Sequence, residues 1–112
     1  MAIDGIRYEV EEPIAYVTFD RPEKHNSLTP EMMRAGARAL HEADADDRVR
    51  AIIATGAGEE AFCTGADLGE TIEEATGDDP DVEPDDDDLF LRHNPIRTPI
   101  ISAVNGFCVA GG

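Results

Sequence analysis

Positive charge is scarce in this chain. Nine Lys and Arg stand against 25 Asp and Glu, a formal net charge of −16 over 112 residues. Such a surface repels the phosphates of nucleic acids and of anionic lipids, which argues against either as a partner. The apolar fraction, 41%, and the aromatic fraction, 5%, are both low. A chain of this length still buries somewhat under ~70% of its unfolded surface, and it holds one domain at most. No apolar run approaches the ~20 residues that span a bilayer. The start, Met1-Ala2-Ile3-Asp4-Gly5, lacks the basic and apolar segments of a signal peptide. Cys63 and Cys108 are the only cysteines and have no Cys-x-x-Cys spacing, so reduced thiols and a cytoplasmic location are expected. His25, His41 and His93 show no ligand spacing, and no metal site is expected. The surplus acid is spread along the chain as well as clustered, a composition resembling that of salt-adapted proteins. A soluble protein with one acidic loop is the plainer alternative.

What is present reads as an α/β pattern in the order ββαβα(α)β. Residues 6–10 and 14–19 are strand candidates, with Glu11-Glu12-Pro13 as the turn between them. A polar loop covers residues 20–27. Thr29-Pro30 then opens a helix, the threonine as cap and the proline at the first helical position. Met32, Ala35, Gly36, Ala39, Leu40 and Ala43 fall on one stripe at helical spacing and read as core, with small residues for close packing on a sheet. Residues 49–55 read as a buried strand ended by Gly56-Ala57-Gly58. A short helix is expected over 69–75, an acidic mobile loop over about 76–88, and a turn or two of helix at 89–93. Residues 98–104 read as another buried strand, with Pro99 where a missing donor is tolerated.

Two stretches organise the rest. Ala61-Phe62-Cys63-Thr64-Gly65-Ala66-Asp67-Leu68 follows one apolar run, and Ala103-Val104-Asn105-Gly106-Phe107-Cys108-Val109-Ala110-Gly111-Gly112 contains the end of the other. Each runs into a turn of small residues, which leaves N–H groups unpaired and lets a ligand approach the main chain. Side by side, two such turns could aim two donors at one oxygen, the geometry of an oxyanion hole.

Both stretches carry a resemblance, and a third joins them. Phe19-Asp20-Arg21-Pro22-Glu23-Lys24-His25-Asn26-Ser27-Leu28 is similar to the "RP-x-x-x-N-x-L" entry of the enoyl-CoA hydratase/isomerase (crotonase) family. Residues 61–68 resemble its "AFCAGADL" signature, and residues 103–112 its "A-V-N-G-x-x-x-G-G-G" turn, with Ala110 in place of the first glycine. The resemblance covers the chain as the N-terminal part of a single domain more than twice as long. It implies a superhelix of ββα units, here incomplete at the C-terminus.

The resemblance also implies an acyl-CoA thioester as substrate, with no cofactor besides the CoA that the substrate carries. Ala66 and Gly111 stand where the family takes its two backbone oxyanion donors. Lys24 and His25 stand in the loop around the CoA adenine and ribose, and Asp67 and Leu68 on the pantetheine side. Adding water across a 2-enoyl thioester, or moving its double bond, puts negative charge on the thioester oxygen. Each preorganised donor is worth ~3–4 kcal/mol there. The paired glutamates of family hydratases, and the helices that build its trimer or hexamer, fall beyond the position of Gly112.

Other readings compete with this one. Residues 106–112 could pass for a phosphate loop, but no Lys-Ser/Thr follows. Cys63 and Cys108 have no arguable base partner and read as small buried packing residues. Asp85 to Asp88 lack the glycine and final glutamate of a calcium loop. Glu70, Glu73 and Glu74 read as a surface helix face, with substitute acids as the alternative. A fragment that holds CoA thioesters without turnover, or half of a split enzyme, is a second functional reading. A non-enzymatic acidic interaction protein is a third, in which deleting residues 78–88 would abolish partner binding.

Overall fold

The computed structural model describes residues 2–66, 95–110 and 112. The elements expected over 69–75, about 76–88 and 89–93 lie outside the described residues, as do Asp67, Leu68 and Gly111.

The chain opens with strand β1 (Ala2–Ile3), antiparallel to β2 (Ile6–Glu11). Asp4 (φ 53°) and Gly5 (φ 82°) join them. Asp-Gly is the pair that a two-residue hairpin with two positive φ angles favours, so the sequence carried a hairpin signal that the strand reading from residue 6 passes over. β2 pairs antiparallel with β3 (Ile14–Phe19) through a turn at Glu12-Pro13, whose peptide is cis. Helix α1 (Pro30–Ala45) follows. Thr29 caps it as expected, its Oγ1 accepting from the Met32 N–H at 3.1 Å. The expected stripe is buried throughout, with Ala37 added to it.

α1 is the crossover that two parallel neighbours require. It returns the chain to β4 (Ala51–Gly56), parallel to β3, and β6 (Ile100–Ala103) lies parallel on β4. The five-stranded sheet runs β1-β2-β3-β4-β6. A second, two-stranded sheet pairs β5 (Ala61–Cys63) with β7 (Phe107–Cys108), again parallel. An isolated parallel bridge between Leu28 and Ala66 continues this second layer one turn earlier. Successive passes therefore stack as turns of one coil. Each pass has a long strand in the first sheet and a short one in the second, the arrangement expected of repeated ββα units.

Two expectations need correction. The strand expected buried over 98–104 is real, but it is shorter, and Ile101 and Val104 are 54% and 55% exposed. It is the edge of its sheet, and no described residue covers its outer face. Likewise, in the strand expected over 49–55, Val49 and Ile52 are buried, Arg50 is exposed and the others are half-buried. Cys63 is buried as expected, whereas Cys108, opposite it on the outermost strand, is exposed.

The end of α1 is tied to the approach to β6. Asp44 Oδ1 accepts from the Arg97 N–H, the Thr98 N–H and the Thr98 hydroxyl at 2.8–3.1 Å. These bonds, the Thr98 N–H first, hold the Asp44 carboxyl below its ordinary pKa. The Arg48 side chain does the same to Asp46, down to about 2. A carboxyl depressed in the folded state stabilises the fold above its unfolded pKa of about 3.9 and loses that contribution as protons bind below it. Stability should therefore fall as pH drops from about 4 toward 2, and Asp46→Asn should flatten that part of a urea-midpoint against pH curve. A curve that keeps its full slope in Asp46→Asn would contradict the assignment.

Candidate active site

The loop after β3 contains a 3-10 turn at Pro22–Lys24, followed by His25 and Asn26 in the left-handed region (φ 52° and 56°). Two adjacent non-glycine residues in that region cost about 1–2 kcal/mol each, so the surroundings must impose them. They do so through Asn26, whose side chain is fully buried. Its Oδ1 accepts from the Arg21 N–H at 2.9 Å, and its Nδ2 donates to the carbonyls of Ala57 (3.1 Å) and Ala61 (2.9 Å). The loop is thereby fastened to the turn between β4 and β5. Lys24 and His25 are left exposed at its tip. His25 Nε2 meets Glu60 Oε2 at 3.0 Å beside a groove of about 340 Å³. That groove is lined by Pro22, His25, Asn26 and residues 57–61.

The first small-residue turn is held against the same loop. Thr64 Oγ1 donates to the His25 carbonyl at 3.2 Å, and the Leu28 N–H donates to the Gly65 carbonyl at 2.7 Å. Gly65 has φ 92°, a conformation that favours glycine. The Leu28 bridge runs through the Gly65 carbonyl and does not occupy the Ala66 N–H. Ala66 itself is exposed, and among the described residues nothing accepts from its amide. The loop that carries Lys24 and His25 and the turn that carries Ala66 are thus bonded to each other.

The second turn is brought to the first by β7. The Phe107 N–H donates to the Glu60 carbonyl (3.1 Å) and the Val109 N–H to the Cys63 carbonyl (3.3 Å). The Gly112 N–H donates back to the Val109 carbonyl at 2.8 Å, closing a turn with Ala110 at φ 48°. Gly112 packs so tightly on the Cys63 carbonyl that a Cβ there would collide with it. The two motif stretches are therefore neighbours along β5. Burial pushes the Cys63 thiol above its ordinary pKa, which fits a packing role and opposes a nucleophilic one.

Two asparagines tie these turns together. Asn26 is a buried amide, where lack of a partner would be costly, and Asn105 an exposed one past the end of β6. Both reach the 56–61 segment, Asn105 from the opposite side, and both donate to the Ala61 carbonyl. No group of three or more His, Cys, Asp or Glu among the described residues could hold a metal ion. No described helix is long and apolar enough to cross a membrane.

Comparison with known proteins agrees with this fold. A probable peroxisomal enoyl-CoA hydratase of Arabidopsis thaliana is 38% identical over 101 residues, 88% of this chain and 36% of that protein. The short-chain-enoyl-CoA hydratase of Clostridium acetobutylicum is 34% identical over 112 residues, 100% of this chain and 43% of that one. The solved structure of a carnitinyl-CoA dehydratase from Mycobacterium avium matches with a TM-score of 0.80 at 33% identity, covering 98% of this chain and 43% of that chain. The chain thus spans about two fifths of the length of these relatives. The sequence model of the enoyl-CoA hydratase/isomerase family matches residues 9–112. With the motif turns adjacent, the coil shared and nearly the whole chain matched, this protein belongs to the enoyl-CoA hydratase/isomerase family.

Proposed function

We propose that these residues form the thioester-holding part of an acyl-CoA site, in a hydratase (lyase) or isomerase. The N–H groups of Ala66 and Gly111 would converge on the thioester oxygen and stabilise the enolate formed as water adds or the double bond moves. The pairing of β5 with β7, which makes the two motif turns neighbours, is the observation that carries this reading. The names of the relatives above, hydratases and a dehydratase of CoA thioesters, support the substrate class. Lys24 and His25 would meet the adenine and ribose, and Asp67 and Leu68 the pantetheine. No cofactor besides the substrate's CoA is needed. We place the protein in the cytoplasm. We read its acidic surface as suited to concentrated salt. The family's trimer or hexamer is not expected of these residues alone.

The glutamates that move protons lie, by the resemblance, past Gly112. General acid–base catalysis supplies about 10²–10⁴-fold, so these residues should bind thioester with little turnover. Calorimetric titration with crotonyl-CoA at low and at molar KCl, with enoyl absorbance followed in parallel, tests this. Binding should be one to one and tighter in salt, because screening relieves repulsion between CoA phosphates and the net charge of −16. Ala66→Pro, which removes the first N–H, should weaken it. Failure to bind at either salt would overturn the proposal, and rapid loss of absorbance would overturn the assignment of proton transfer to groups past Gly112. A second reading, an acyl-CoA-binding piece that joins a separate C-terminal piece, is favoured by Ile101, Val104, Phe107 and Val109, which are 53–69% exposed.

A further inference from the structure

We infer that Asn105 is a positioning residue for the second turn, a role that rests on the thioester reading above. The ladder between β4 and β6 ends at the pair Thr55–Ala103. One residue further, Gly56 meets the carboxamide of Asn105 where a strand would have been. The Gly56 N–H donates to Asn105 Oδ1 at 3.0 Å, and Asn105 Nδ2 donates to the Gly56 carbonyl at 2.9 Å. A carboxamide carries a donor and an acceptor in one plane, as a peptide unit does, so the side chain completes the sheet while the main chain leaves it. The same nitrogen reaches the carbonyls of Gly58 (3.1 Å) and Ala61 (3.4 Å). One side chain therefore spans the end of β4, the turn after it and the start of β5.

The consequence is a fixed path for the chain beyond it. Gly106 has no room for a Cβ beside the Glu60–Ala61 peptide, and Phe107 and Val109 then bond to Glu60 and Cys63. Asn26 grips the Ala61 carbonyl from the other side, so the 56–61 segment acts as a common rail for both turns. Asn105 couples the second turn to that rail. Its own position is exposed, so replacing it opens no core cavity. The sequence shows only a polar residue before a glycine. The carboxamide's place in the sheet explains why it is asparagine, since aspartate has no donor and serine has one oxygen where the Gly56 N–H and carbonyl need two separate atoms.

The test is the infrared carbonyl stretch of bound crotonyl-CoA carrying ¹³C at the thioester carbon, a readout of how strongly donors polarise that oxygen. The unsubstituted chain should shift the band to lower frequency. Asn105→Ala should still bind but lose about half of that shift, the share of the second donor. Asn105→Gln, which keeps the carboxamide but displaces it by one methylene, should also shift the band less. Asp44→Ala, which removes the acceptor at the far end of β6, should lower stability and leave the shift whole. A full shift in both Asn105 variants would overturn the inference while leaving the thioester reading intact. So would a loss in Asp44→Ala equal to that in Asn105→Ala, since general loosening would then suffice. No shift in the unsubstituted chain would sink the thioester reading itself, and this inference with it.

Discussion

Asn26→Ala should cost about 3–4 kcal/mol of folding stability. The change removes the acceptor of the Arg21 N–H and the donor to the Ala57 and Ala61 carbonyls. A buried polar group left unpaired costs about 1–3 kcal/mol. Ala61 keeps a longer bond from Asn105 at 3.4 Å, so the loss falls mainly on Arg21 and Ala57. Alanine at φ 56° adds about 1 kcal/mol more. Domains of this size are stable by only about 5–15 kcal/mol, so the variant should melt more than about 10 °C lower. Asn26→Gly separates the two causes. It loses the same bonds but accepts the left-handed backbone, and should recover about 1 kcal/mol relative to alanine. Urea unfolding followed by circular dichroism measures both. Equal stability of Asn26→Ala and the unsubstituted chain would show that the amide does not hold this loop to the turn.

Gly106→Ala should separate β7 from β5. An added Cβ would fall on the carbonyl of Glu60 and within 2.8 Å of the Ala61 nitrogen. These are backbone atoms, and they are not free to retreat. The Glu60 carbonyl accepts from Phe107, and the Ala61 carbonyl is gripped by both asparagines. Crowding of this kind costs about 1–3 kcal/mol where the surroundings yield, and the upper end applies here because they cannot. The effect should be local. Hydrogen exchange at Phe107 and Val109 should accelerate strongly while α1 amides keep their protection, and crotonyl-CoA binding should fall with them. Unchanged exchange at Phe107 would mean that the chain has another path past Glu60.

Much of the fold can be read from the residues. Thr29-Pro30 with an Ala- and Gly-rich stripe specifies a capped helix that lies close on a sheet, because each of those signals acts within a few residues. The three motif stretches identify the coil and its family by their order alone. The Asp4-Gly5 hairpin is as legible and is simply easy to pass over, since the strand before it has only two residues. Exposure is less legible. Ile101 and Val104 have the composition of a buried strand, and being exposed is a property of the sheet edge they occupy, not of their side chains.

By itself, the sequence determined the α/β pattern, the helix and its N-terminal cap, the small-residue turns at Ala66 and before Gly112, and the family. The tertiary structure alone decided what those turns stand beside. Asn26 finds its carbonyls 31 and 35 residues away, and Asn105 meets Gly56 across 49. Such partners are chosen by the register in which one turn of the coil lies on the next. That register follows from long strands pairing in parallel and from where no side chain fits, as at Gly106. A motif records that an asparagine and a glycine are present. Only the stacked coil shows that both asparagines reach the one segment between β4 and β5 from different turns.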